Sequence, residues 1–174
     1  MKTTNKILTA LVTLFIANQS QAQSTASADA FATVVTPIAI SKAADLNFGN
    51  IAVQSTASGT GAAGGTVVLA TGGSRTATGG VTLPAGTGTV SAASFTVTGE
   101  GSRTFAITLP ASTTLTRLTG TETILVNNFN SDPATTSALS GGTKTVNVGA
   151  TLNVLIDQAP GTYKGSFNVT VNYN

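Results

Sequence analysis

From Phe95 onward, apolar residues recur at every second position in short runs. Phe95 and Val97 open the series, and Phe105, Ile107 and Leu109 form the next run. Ile124 and Val126 follow, then Val146 and Val148, then Leu152, Val154 and Ile156. A period of two marks strands with one face on a core and the other toward water. Breakers separate the runs: Gly72-Gly73, Gly79-Gly80, residues 99–101, Pro110, Gly120, Asp132-Pro133, Gly141-Gly142, Gly149 and Pro160-Gly161. Short strands punctuated this way predict an all-β antiparallel sandwich or barrel. Residues 66–70 read as one more strand, and the Gly- and Thr-rich stretches 55–65 and 71–80 beside it read as surface loops. No long repeat suggests a solenoid.

The N-terminus departs from this pattern. Lys2 and Lys6 precede an apolar run over 7–17, and Ser20-Gln21-Ala22 places small residues at a cleavage position. The run is too short to span a bilayer and matches the middle of a secretory signal. The expectation is a signal peptide over 1–22 and a single β domain over 23–174. The protein is thus expected to be exported, passing the periplasm toward the cell surface or medium.

Removing that peptide changes the charge. The full chain has a formal net charge of +2, but Lys2 and Lys6 lie in the signal. What remains is Lys42, Arg75, Arg103, Arg117, Lys144 and Lys164 against Asp29, Asp45, Glu100, Glu122, Asp132 and Asp157, which cancel. No basic cluster or aromatic platform points to nucleic acid. Charged residues are only 8% of the chain, yet the 41% hydrophobic fraction argues against disorder and for a real core. There is no Cys, so packing and backbone pairing alone hold an exported domain together.

The absence of His and Cys removes Ser-His and Cys-His nucleophilic sites and the usual zinc or copper ligand sets. The acidic residues are scattered, and the reading is of a protein that is not an enzyme and needs no cofactor or metal. Gly59-Thr-Gly61-Ala-Ala-Gly64 matches a dinucleotide fingerprint, but a strand-like run follows it instead of a helix. Asp45 and Asn47 lack the rest of a calcium loop and read as a turn. Asn168-Val-Thr170 fits a glycosylation sequon and reads as ordinary strand alternation.

Four segments carry a family resemblance: Pro37-Ile-Ala-Ile through Asp45-Leu-Asn-Phe-Gly-Asn-Ile; Phe95-Thr-Val-Thr-Gly through Phe105-Ala-Ile-Thr-Leu-Pro; Val146-Asn-Val-Gly-Ala-Thr-Leu-Asn-Val; and residues 161–174. Together they resemble a bacterial secreted family catalogued as domain of unknown function 4402, over about 28–174.

The last segment adds a second likeness. Gly161, Tyr163, Gly165, Phe167, Val169, Val171 and Tyr173 share one parity; Thr162, Lys164, Ser166, Asn168, Thr170, Asn172 and Asn174 share the other. An amphipathic strand that runs to the last residue, with Gly161 and the penultimate Tyr173 on its apolar face, resembles the terminal strand of chaperone–usher pilins. That resemblance implies an immunoglobulin-like, pilin-like sandwich lacking one strand. The implied partners are a periplasmic chaperone, an outer-membrane usher and like subunits, which add the strand by β-augmentation. The assembly residues would be Gly161, Tyr163, Phe167, Val169, Val171 and Tyr173, in a fimbria-like surface fibre.

The candidate donor segment is plain. Ala26, Ala28, Ala30 and Ala32 form its regular series and are expected to fill pockets poorly. Phe31, Thr33 and Val35 alternate in the other phase and are expected to belong to the domain's own first strand. The competing reading is a self-complete secreted sandwich that binds a ligand such as a glycan through hydroxyl- and amide-rich loops.

Overall fold

The computed structural model describes residues 23–53, 63–86 and 88–174. The signal-peptide expectation over 1–22 and most of the fingerprint-like glycine run lie outside them. Among the described residues the fold is all-β and every strand pairing is antiparallel. No helix there is long and apolar enough to cross a membrane.

The first strands are β1 (Ala39–Ala44), β2 (Asn47–Phe48), β3 (Ala52–Val53), β4 (Ala63–Leu69) and β5 (Arg75–Gly79). Next come β6 (Val81–Thr82), β7 (Val90–Ser91), β8 (Ala93–Thr98), β9 (Thr104–Thr108) and β10 (Ser112–Arg117). The chain ends with β11 (Thr123–Asp132), β12 (Thr136–Ala138), β13 (Thr143–Leu155), β14 (Tyr163–Lys164) and β15 (Thr170–Tyr173). The large sheet has the order β1-β8-β13-β11-β10-β14, with β4 and β5 branching from β13. A smaller sheet runs β12-β9-β15, and β2 pairs with β7 and β3 with β6.

Strand β13 is the spine. Val146, Val148, Ala150, Leu152 and Val154 are all buried on one face. One edge pairs with β11, and the other serves β8 through Val148 and β4 from Ala150 on. Gly149 was expected to end a strand here, but the apolar parity runs through it without a break. It sits where β8 hands over to β4, and a Cβ there would press on the Leu69 carbonyl. The glycine permits close backbone approach rather than a turn.

Two apolar clusters result. Val67, Leu69, Ile124, Val126, Leu152 and Val154 centre the first; Ala93, Val97, Phe105, Ile107, Val146, Val148 and Val171 centre the second. Each fully buried large side chain contributes about 1.5–3 kcal/mol, so β13, which feeds both clusters, ties them together.

The Gly- and Thr-rich stretch 71–80, expected to be a loop, contains β5 instead. β5 pairs with β4 from Leu69↔Arg75 to Gly65↔Gly79, with Gly72 and Gly73 at the hairpin turn. Its solvent face is Thr76 and Thr78, so apolar alternation is too weak to mark the strand from sequence.

The chain divides into two units, Met1–Val34 and Val35–Asn174. In the first, residues 23–34 are exposed and carry no strand or helix. The expectation that Phe31, Thr33 and Val35 begin the domain's first strand is therefore corrected. That strand begins at Ala39, and Phe31 and Val34 are 92% and 95% exposed.

The candidate assembly edge

Residues 161–173 lie along one continuous stretch of chain. β9 belongs to the small sheet and β10 to the large one, joined through Pro110, which has no N–H for a ladder. The terminal segment follows this switch. Tyr163 and Lys164 pair with Arg117 and Thr116 of β10, and Thr170–Tyr173 pair with β9 from Thr108 to Phe105.

Both pairings use the same lateral edge. The Leu118 N–H donates to the Thr162 carbonyl at 2.9 Å, and the Asn174 N–H donates to the Thr104 carbonyl at 3.2 Å. Even-numbered backbone groups thus face β9 and β10, so odd-numbered ones face the opposite edge. Among the described residues no strand pairs with that opposite edge.

The side chains alternate as expected. Val171 is buried, while Tyr163, Phe167, Val169 and Tyr173 are half-buried, and the even-numbered residues are exposed. Phe167 lies 4.9 Å from Phe129 and 6.3 Å from Phe95 between ring centroids, the latter edge-on. Val169, Val171 and Tyr173 pack on the second cluster, and Tyr163 packs on the first. Of the six proposed assembly residues, Gly161 alone buries nothing. It has φ +150°, a backbone conformation that side chains rarely adopt, so its identity answers the backbone; a Cβ there would also lie 2.7 Å from Nε of the flexible Arg117 side chain.

One end of the segment is closed. The Tyr173 hydroxyl donates to the Thr36 carbonyl at 2.9 Å and accepts the Glu100 N–H at 2.5 Å. The Thr36 N–H donates to Glu100 Oε2 at 3.0 Å. Side-chain and backbone hydrogen bonds from Thr36 hold the Glu100 carboxyl below its ordinary value, aided by the charge of Arg103. Some Cα atoms of β1 and β15 lie within 8 Å of each other without forming a ladder. Strands that flank a third stand about 9.5 Å apart, so the gap is narrow at that contact.

The other end is open. A cavity of about 400 Å³ lies between Ile51, Ala52 and Val53 on one side and Gly161 and Tyr163 on the other, over Ile124 and Val154. The Tyr163 hydroxyl donates to the Ala159 carbonyl at 2.7 Å and accepts from Gln158 Nε2 at 2.8 Å. Gln158 Oε1, also in the cavity lining, is buried with no hydrogen-bond partner.

A family model described as Domain of unknown function (DUF4402) matches residues 38–173. The chain belongs to the DUF4402 family. The DUF4402 match takes in every strand of the described residues, from β1 to the terminal segment through Tyr173, while residues 23–37 precede it. No curated protein and no solved structure matches the chain.

Thr36, Glu100, Phe129 and Gln158 of this DUF4402 protein were invisible as site residues in the sequence. Phe129 has a structural reason. The β11–β13 register shifts between Asn127 and Asn130, and Asn128 has φ 50°. This bulge changes the inward parity from Ile124 and Val126 to Phe129. Elsewhere, Asp45 pairs with Lys42 at 2.5 Å and Asn47 Oδ1 accepts the Gly49 N–H at 2.9 Å, a turn arrangement. Asn168 and Thr170 are exposed on the terminal segment.

Proposed function

We propose that this protein is an exported structural subunit of a cell-surface, fimbria-like fibre assembled by β-strand complementation, with residues 161–173 as the receiving edge. In this reading the fold is an incomplete immunoglobulin-like, pilin-like sandwich, served by a periplasmic chaperone and an outer-membrane usher. One observation carries it: the terminal segment uses a single backbone edge, while its apolar face stays half-buried. Unpaired strand edges are templates for another chain. Completing burial of several large side chains there is worth about 1.5–3 kcal/mol for each fully covered one, comparable with the ~5–15 kcal/mol that holds a whole domain. The function is non-catalytic.

The test is export with and without co-expressed chaperone, followed by size analysis and electron microscopy. Without it the chain polymerises or is degraded. Val169→Asp abolishes assembly because a carboxylate enters the half-buried face, whereas Asn168→Asp on the exposed face leaves assembly intact. A chain that stays a stable monomer at high concentration overturns the proposal.

The hydrogen-bond ring at Tyr173 and the approach of β1 to β15 favour the second reading, a self-complete binding module. That reading requires binding by the folded monomer, for example on a glycan array.

A further inference from the structure

We infer that the outer face of the large sheet holds a binding site for a neutral glycan, built on the side-chain amides of Asn127 and Asn153. The inference goes beyond strand complementation and is independent of how the terminal segment is used.

Register sets the site. Across β4, β13 and β11, Thr66, Asn153 and Leu125 stand in one row, and Val68, Thr151 and Asn127 stand in the next. Opposed residues share a face. Val67, Leu152 and Val126 alternate with them along the strands and are buried in the first cluster. The two rows therefore lie on the side of the sheet away from that core. β5 and β10 extend both rows, and every position they add carries a hydroxyl. No charge and no aromatic ring stands in either row. Such a face suits a neutral partner, since an ionic one would lose hydration without gaining a counter-charge.

Within the rows the two amides are fixed. Asn153 Nδ2 donates to Asn127 Oδ1 at 2.9 Å and to the Leu125 carbonyl at 3.3 Å, which orients both side chains. Asn127 Nδ2 and Asn153 Oδ1 make no hydrogen bond to any described residue. A free donor and a free acceptor thus stand on adjoining strands, held by the bond between their own amides. Thr151 is only 8% exposed, while Val68 on β4 and Leu125 on β11 are 41% and 45% exposed. The surface dips along β13 between two raised aliphatic side chains.

Two adjacent hydroxyls of a sugar match this arrangement. Each can donate and accept, so one accepts from Asn127 Nδ2 while its neighbour donates to Asn153 Oδ1. The C–H face of the same ring covers Val68 or Leu125, and the hydroxyl rows on β5 and β10 meet the sugars that follow. A peptide is recognised through a sheet edge or through side-chain pockets, and the middle of this face offers neither. Without a ring to stack on, one contact is weak, and many copies on one surface strengthen it by avidity.

The test is retention of the exported full-length chain on beads carrying dextran, mannan or galactan, which are neutral and rich in vicinal diols. Wild type is retained on at least one of them. Oxidising that glycan with periodate, which cleaves between vicinal hydroxyls, and reducing the product with borohydride abolishes retention while leaving the polymer neutral. Asn127→Leu and Asn153→Leu each lower retention about tenfold, the scale of one or two lost hydrogen bonds. Asn168→Leu, exposed on the terminal segment, leaves it unchanged. Thermal midpoints near wild type show that the variants fold, and size analysis shows that they assemble as wild type does. No retention on any of the three glycans overturns the site. Retention that survives periodate rules out the diol, and retention untouched by both asparagine variants places binding elsewhere. Each of these failures leaves the receiving edge standing, because that edge is read from assembly alone.

Discussion

The Tyr173 hydroxyl donates to the Thr36 carbonyl at 2.9 Å, across 137 positions of sequence. It also accepts the Glu100 N–H at 2.5 Å, so one phenol joins the lead-in to β1, the turn after β8 and the end of the chain. An aromatic at this place supplies apolar area to the second cluster and a polar tip to two backbone groups.

Tyr173→Phe separates those two roles. The ring remains and both hydrogen bonds go, at a typical net value of about 0.5–1.5 kcal/mol each. Thermal unfolding should show a midpoint lower by roughly 2–12 °C. A midpoint equal to wild type would mean that the hydroxyl contributes nothing to closure.

Acid should weaken the same closure. Hydrogen bonds from Thr36 depress the folded-state value of Glu100 below 4.5, and the carboxyl of Glu122 is lowered chiefly by its own backbone N–H and also by Arg117. A depressed acid contributes stability that is present above its unfolded value and lost as pH falls through its folded value. Stability should therefore hold at neutral pH and decline as pH drops below 4.5. Glu100→Gln should flatten part of that decline; an unchanged acid profile in this variant would remove Glu100 from the account.

Gly161 should resist substitution for two separable reasons. Its φ of +150° disfavours any side chain, and an added Cβ meets Arg117 Nε at 2.7 Å. Gly161→Ala should cost about 1–3 kcal/mol in denaturant unfolding. In an Arg117→Ala background the cost should shrink without vanishing, because removing the guanidinium relieves the contact and leaves the backbone conformation. Equal costs in both backgrounds would exclude the steric part.

How much could be read in advance differs from element to element. The inward set Phe105 and Ile107, the set Val146 to Val154 and the terminal set Tyr163 to Tyr173 were legible, since pleating makes side-chain direction a local, two-residue property. β5 was not, because Thr76 and Thr78 on its outer face and the surrounding glycines leave no apolar rhythm. Gly149 was misread as a break for a related reason: composition signals flexibility, while the partner strand decides whether a glycine bends or admits a close neighbour. Asn128 hid Phe129, because an extra residue in one strand reverses the parity of everything beyond it, and only the register with β13 reveals that insertion.

By itself, then, the sequence determined an all-β chain, its family and the apolar face of its last strand, all consequences of local backbone geometry and residue type. The tertiary structure decided which edge of that strand is paired, that Phe95, Phe129 and Phe167 meet beneath it, and that Tyr173 reaches Thr36 while residues 23–34 lie exposed. These are relations between residues far apart in the chain. They depend on strand order and register, which no local pattern encodes.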